Sequence, residues 1–154
     1  MLLVMFRLGR DRYVLEARQV QEVLPYLAAK ALPAAPRGVV GAINYRGKPL
    51  PLIDLSLLAL GRPAEAFLST RIILVRYPGE DGTENLLGLV AERAIEAIQR
   101  DPSDFVPTGV EAGTPPYLGP VASDAQGLIQ WVKVDALLPA EIRDILFRQI
   151  AAGS

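Results

Sequence analysis

Short apolar runs separated by glycine- and proline-bearing turns constrain this chain most. Residues 2–8 and 13–15 flank the polar turn Gly9-Arg10-Asp11-Arg12, and residues 39–43 and 50–55 flank Asn44-Tyr45-Arg46-Gly47-Lys48. Residues 70–77 and 86–91 flank a polar stretch at 78–85. Residues 94–98 continue the pattern with Ile95 and Ile98 inward, and 128–134 form the last clear run. Runs of this length, punctuated so often, read as β-strands, several of them in hairpins. Roughly six or more strands at fairly even intervals predict a mainly β fold built of small Greek-key or SH3-like barrels, not a βαβ arrangement.

A few short helices interrupt the pattern. In residues 16–24, Ala17, Val20, Val23 and Leu24 are apolar while Arg18, Gln19, Gln21 and Glu22 are polar, which predicts one buried stripe on a helix stopped by Pro25. Asp54 or Ser56 is placed to cap a helical turn running to Leu60, with Gly61 as its stop. From Pro139 onward, Ile142, Ile145, Leu146 and Ile150 recur at helical spacing and predict a C-terminal helix. Pro49 and Pro51 imply that the strand at 50–55 lies at an edge or a bulge, because proline donates no ladder hydrogen bond. Residues 101–119 form a long connection rich in Pro, Gly and Thr.

Composition removes whole classes of function. The 154 residues contain no histidine and no cysteine. That excludes His- and Cys-based nucleophilic catalysis, thiolate chemistry, the usual zinc and haem ligand sets, and a phosphorelay histidine. Disulfides are impossible, so packing alone holds the fold. Sixteen Lys and Arg against seventeen Asp and Glu give a net charge of -1, without the basic excess that nucleic-acid binding needs. The apolar start at residues 1–6 is broken by Arg7. It is shorter than a secretory core of about 7–15 residues or a membrane span of about 20, so no membrane insertion is expected.

The remaining chemistry is carboxylate chemistry. Asp54 follows an apolar strand and Glu92 sits where a strand ends; together they are the material for an alternative reading as a small carboxylate-dependent barrel enzyme. Helix capping by Asp54 is the plainer role. No phosphate-cradling glycine motif occurs, and no cofactor is implied. A ligand-sensing barrel whose cleft takes a small molecule is a further alternative. Trp131 lies in a run with no cleanly polar face and reads equally as core or as an interface anchor.

Several segments, in order, resemble the CheW coupling-protein family. They are Phe6-Arg7-Leu8-Gly9 through Tyr13; Gln19-Val20-Gln21-Glu22-Val23; Gly38 to Gly47 with Leu50-Pro51-Leu52-Ile53-Asp54-Leu55; Ile72 to Val75 with Leu87-Gly88-Leu89-Val90; Tyr117-Leu118-Gly119; and Leu128 to Leu138. The resemblance covers nearly the whole chain and implies one CheW-like domain over 1–154, made of two intertwined five-stranded SH3-like barrels with a groove between them. It implies a non-catalytic cytoplasmic adaptor, recruited to membrane-associated receptor arrays, that couples a chemoreceptor's cytoplasmic tip to the regulatory domain of a CheA-type histidine kinase. Matched by position, Val20, Glu22 and Val23 fall on a receptor-facing helical segment, Asn44, Arg46 and Gly47 on the turn block, and Gly88 on the glycine strand. Where the family pattern has Asn-Leu-Arg-Gly this chain has Asn44-Tyr45-Arg46-Gly47, and Ala91-Glu92-Arg93-Ala94-Ile95 also departs from it. Such differences imply a divergent member from an alternative chemosensory pathway.

Overall fold

A computed structural model describes residues 1–66, 68–78, 84–93, 96–108 and 115–153, with side chains through residue 148. Its strands are β1 (Leu2–Leu8), β2 (Asp11–Glu16), β3 (Val20–Pro25), β4 (Val39–Tyr45), β5 (Lys48–Asp54), β6 (Arg71–Pro78), β7 (Glu84–Ala91), β8 (Glu96–Gln99), β9 (Leu118–Asp124) and β10 (Gly127–Val132). Helix α1 (Leu55–Leu60) follows β5, and α2 (Ala140–Gly153) follows β10 after a 3-10 turn at Val134–Ala136. Among the described residues no helix is long and apolar enough to cross a membrane. The tip of the 78–85 turn, Ile95, the Ile150 side chain and the middle of the 101–119 connection lie outside what is described.

The strands form two five-stranded sheets, ordered β8-β1-β2-β10-β9 and β3-β6-β7-β5-β4. Their patterns coincide. Each has an antiparallel hairpin (β1–β2, β6–β7), a parallel neighbour (β2–β10, β7–β5) and a second antiparallel hairpin (β10–β9, β5–β4). Each also closes in the same way. The chain leaving β3 brings Lys30 against Ala42 of β4, where they exchange backbone hydrogen bonds of 2.9 Å each way. The chain leaving β8 brings Val106 against Val121 of β9, with bonds of 2.8 and 2.9 Å. Strands β1 and β2 belong to one barrel, β3 to β7 build the other, and β8 to β10 complete the first. The barrels are intertwined through this order of strands.

Among the described residues the core forms three apolar clusters. Leu3, Val14, Phe105, Ala122 and Ile129 fill one barrel, and Ile43, Leu50, Leu52, Ile72, Leu74 and Val90 fill the other. The largest cluster joins the two sheets: Val4, Phe6, Leu8 and Leu15 meet Ile53, Ile73, Val75, Tyr77, Leu87 and Leu89. Ile72, Ile73, Leu74 and Val75 are each 0% exposed, which is why β6 reads as an unbroken apolar run. Each such side chain stabilises the fold by roughly 1.5–3 kcal/mol on burial.

Helix α1 is capped as its sequence predicts: Asp54 Oδ1 accepts from the Leu57 N–H, and Gly61 closes the other end. Two expectations resolve differently, and one left open is decided. The helix expected at 16–24 is one 3-10 turn, Ala17–Gln19, followed by strand β3. Val20 and Leu24 share the strand's inward face while Val23 points outward, and antiparallel pairing with β6 satisfies the backbone as a strand. Strand β5 is not an edge, since it sits between β4 and β7. Its parallel pairing with β7 begins only at Leu52, so Pro49 and Pro51 occupy the half that pairs with β4 alone. Trp131 is half-buried in the core, edge-on to Phe105 at 4.9 Å between ring centroids.

Closure of the second barrel depends on Gly41. Its φ is +142°, and a Cβ there would stand 2.1 Å from the Lys30 carbonyl oxygen. Gly41→Ala is therefore expected to destabilise the fold by about 2–4 kcal/mol, seen as a lowered urea midpoint. A midpoint equal to that of the parent chain would show that the Lys30–Ala42 closure is not required.

Candidate docking surface

The turn joining β4 to β5 has two central residues, Arg46 and Gly47, both in the left-handed region with φ of 49° and 83°. Paired positive φ values mark a type I′ turn, whose twist matches the flanking strands. Gly47 adopts this conformation freely; Arg46 does so at a cost of about 1–2 kcal/mol. The Asn44 side chain supports the turn, its Oδ1 accepting from the Gly47 N–H at 2.8 Å.

Barrel closure brings β3 beside this turn. The Tyr45 hydroxyl donates to Glu22 Oε1 at 2.5 Å and accepts from Gln21 Nε2 at 3.3 Å. The Arg46 guanidinium lies 5.2 Å from the centroid of the Tyr45 ring, with one nitrogen 3.8 Å from the same Glu22 oxygen. The Arg46 side chain is 73% exposed and that of Glu22 34%, so the cation is displayed and the carboxylate is recessed. Val23 faces outward and is 41% exposed, followed by the exposed Tyr26 and Leu27.

Of the residues picked out from sequence, Glu22, Val23, Asn44, Arg46 and Gly47 thus gather on β3 and the adjoining turn. Val20 turns inward and packs against the inter-barrel cluster. Gly88 lies apart, buried between β5 and β6, where a Cβ would meet Leu52 Cδ2 at 2.4 Å and Ile72 Cγ2 at 3.0 Å. Its role is to let strands pack.

Beside the turn runs a groove of about 650 Å³, lined by Gln21, Tyr45, Arg46, Lys48, Pro49, Leu50, Pro51, Glu84, Asn85, Leu86 and Phe147. It follows the halves of β5 and β7 that do not pair. In a two-residue hairpin the amide positions of Pro49 and Pro51 face away from β4, so the ring nitrogens remove donors on the β7 side. Phe147 of α2 reaches the groove because Tyr77 anchors the preceding turn. The Tyr77 hydroxyl accepts from the Leu138 N–H at 3.2 Å and donates to the Asp135 carbonyl at 3.1 Å, while its ring lies 5.9 Å from that of Phe147.

The family model for the CheW-like domain matches residues 2–141. This chain belongs to the CheW-like domain family. It is 26% identical over 144 residues to the chemotaxis protein CheW of Rhizobium meliloti, spanning 92% of this chain and 90% of that protein. It is 26% identical over 102 residues to the chemotaxis protein CheW of Helicobacter pylori, spanning 66% of this chain and 59% of that one. The crystal structure of the scaffolding protein TtCheW from Thermoanaerobacter tengcongensis superposes with a TM-score of 0.77 at 26% identity, over 90% of this chain and 87% of that chain. The CheW-like domain is a non-catalytic chemotaxis scaffold with the expected mainly β architecture.

The two carboxylates of the enzyme alternative hold this CheW-like domain together. Asp54 caps α1 and also accepts from the Ala64 N–H at 2.8 Å through Oδ2. Glu92, 3% exposed, accepts from the Gly9 N–H (2.9 Å), Ser56 Oγ (3.0 Å), Arg62 Nη1 and Nη2 (3.1 and 3.4 Å) and the Glu65 N–H (3.1 Å). Burial pushes the Glu92 carboxyl up, but the Arg62 guanidinium, the Glu65 and Gly9 amides and the Ser56 hydroxyl outweigh it and hold the group at about 2. Glu92 thereby ties the β1–β2 turn of one barrel to α1 and the 62–65 loop of the other.

Tyr45, Gln21 and Phe147 escaped the sequence reading as site residues. The only local signal was an aromatic residue beside Arg-Gly in a turn.

A carboxyl held lower in the folded chain than in the unfolded one stabilises the fold above its ordinary value and loses that contribution as pH falls toward the folded value. Glu92→Gln is therefore expected to lower stability at neutral pH by about 2–3 kcal/mol. The gap to the parent chain should shrink between about pH 4.5 and 2. Urea unfolding followed across that range checks this, and a gap independent of pH contradicts it.

Proposed function

We propose that this CheW-like domain is a cytoplasmic coupling adaptor that holds a chemoreceptor's cytoplasmic tip and the regulatory domain of a CheA-type histidine kinase in fixed relation within receptor arrays. Signal passes by differential contact: a receptor state that fits the adaptor surface better shifts the kinase equilibrium, and no bond is made or broken. The observation that carries this reading is the surface made by β3 and the β4–β5 turn. There an exposed cation, a recessed carboxylate and outward apolar side chains adjoin an open groove. That mixture suits a helical protein tip, with Val23 and the groove wall supplying apolar contact and Arg46 a directional one.

Two further features support docking. The type I′ turn that requires the left-handed backbone at Arg46 fixes the base of an exposed cation at the tip of the hairpin. Asp54 and Glu92 are occupied by backbone and side-chain donors that hold the fold, which leaves them no role in turnover. Isothermal titration of a cognate receptor tip fragment into the parent chain and into Arg46→Ala tests the reading. The alanine variant should bind about tenfold or more weakly. Equal affinity of the two proteins would contradict it.

A further inference from the structure

The three side chains that meet beside the β4–β5 turn, Glu22, Tyr45 and Arg46, are not equivalent partners. Glu22 Oε1 has two neighbours competing for it, the Tyr45 hydroxyl at 2.5 Å and the Arg46 guanidinium at 3.8 Å. The first distance is that of a short, charge-assisted O–H···O⁻ hydrogen bond; the second is beyond hydrogen-bond range and marks a loose ion pair. The tyrosine therefore dominates the carboxylate, and the arginine is left over. Its guanidinium instead rests above the Tyr45 ring at 5.2 Å, where the π face attracts a cation without using its N–H donors. At 73% exposure the guanidinium stands largely in solvent apart from its loose approach to Glu22, and the type I′ turn fixes the base of the side chain.

We propose that Tyr45 is the positioning residue of this surface: its hydroxyl withdraws Glu22 from Arg46 and its ring seats the guanidinium, so that Arg46 meets the partner uncommitted. The inference rests on the docking function proposed above and adds the chemistry of the contact. A planar guanidinium with free paired donors matches a carboxylate, so the partner presents an Asp or Glu side chain opposite Arg46. Without the Tyr45 hydroxyl, Glu22 is free to collapse onto Arg46, and the partner's carboxylate then competes with an internal one.

The test is titration calorimetry of a receptor cytoplasmic-tip fragment with the full chain and its variants Tyr45→Phe, Arg46→Ala and Tyr45→Phe with Glu22→Gln, each verified as folded by thermal melting. Tyr45→Phe keeps the ring and is expected to weaken binding about five- to tenfold. Adding Glu22→Gln removes the competing charge and should restore affinity to within about threefold of the parent. A merely structural tyrosine would not be rescued by neutralising a neighbour. Sensitivity to Arg46→Ala with Tyr45→Phe binding like the parent, or no rescue in the double variant, overturns the role of Tyr45 alone. Absence of binding by the parent chain, or indifference to Arg46→Ala, overturns the docking function and this inference with it.

Discussion

Strands β1 and β6 are apolar on both faces, and the layer where the two sheets meet is the constraint on which the remaining structure depends. Phe6 and Leu15 on one sheet meet Ile73, Val75 and Leu87 on the other, all fully buried. Neither sheet can shed this layer without exposing a second apolar surface to water, a loss far larger than the marginal stability of a domain this size. Strand order reinforces the layer, because the first barrel is completed only after the second has been built. Glu92 clasps the β1–β2 turn to the α1 region, and Tyr77 ties β6 to the segment that leads into α2.

A docking surface gains most from such a frame. The side chains at the contact come from β3 and from a turn more than twenty positions further along, and they meet only because the barrel closes through Lys30 and Ala42. The groove beside them exists because two prolines and the late start of parallel pairing hold β5 and β7 apart, while α2 supplies Phe147 as a wall. Preorganisation of this kind lowers the entropy lost on binding, which is how a modest surface achieves useful affinity.

Much of this frame was legible in the sequence. Gly-bearing turns announced the hairpins, and Asp54 and Gly61 announced the ends of α1, because these signals are local. Residues 16–24 misled because Ala17, Val20, Val23 and Leu24 satisfy a helical stripe. The decision belonged to β6, about fifty residues away, which supplies the hydrogen bonds that make residues 20–25 a strand. Pro49 and Pro51 signalled a missing partner, but local pattern could not say that only half of β5 lacks one. The two unpolar faces around Trp131 had a similar origin: Ile129 and Trp131 pack in a barrel interior, while Val132 packs between barrels. Glu22 and Arg46 were reached through family resemblance. Tyr45 was not, since its function depends on a neighbour that only the fold supplies.

As the coupling adaptor proposed above, this domain would grip two proteins at once with one rigid body. Sedimentation velocity of this chain mixed with a receptor cytoplasmic-tip fragment and a CheA-type regulatory domain is the check on this. A coupling adaptor gives a single boundary containing all three components. Displacement of one partner by the other, or free sedimentation of the chain in the presence of both, would contradict it.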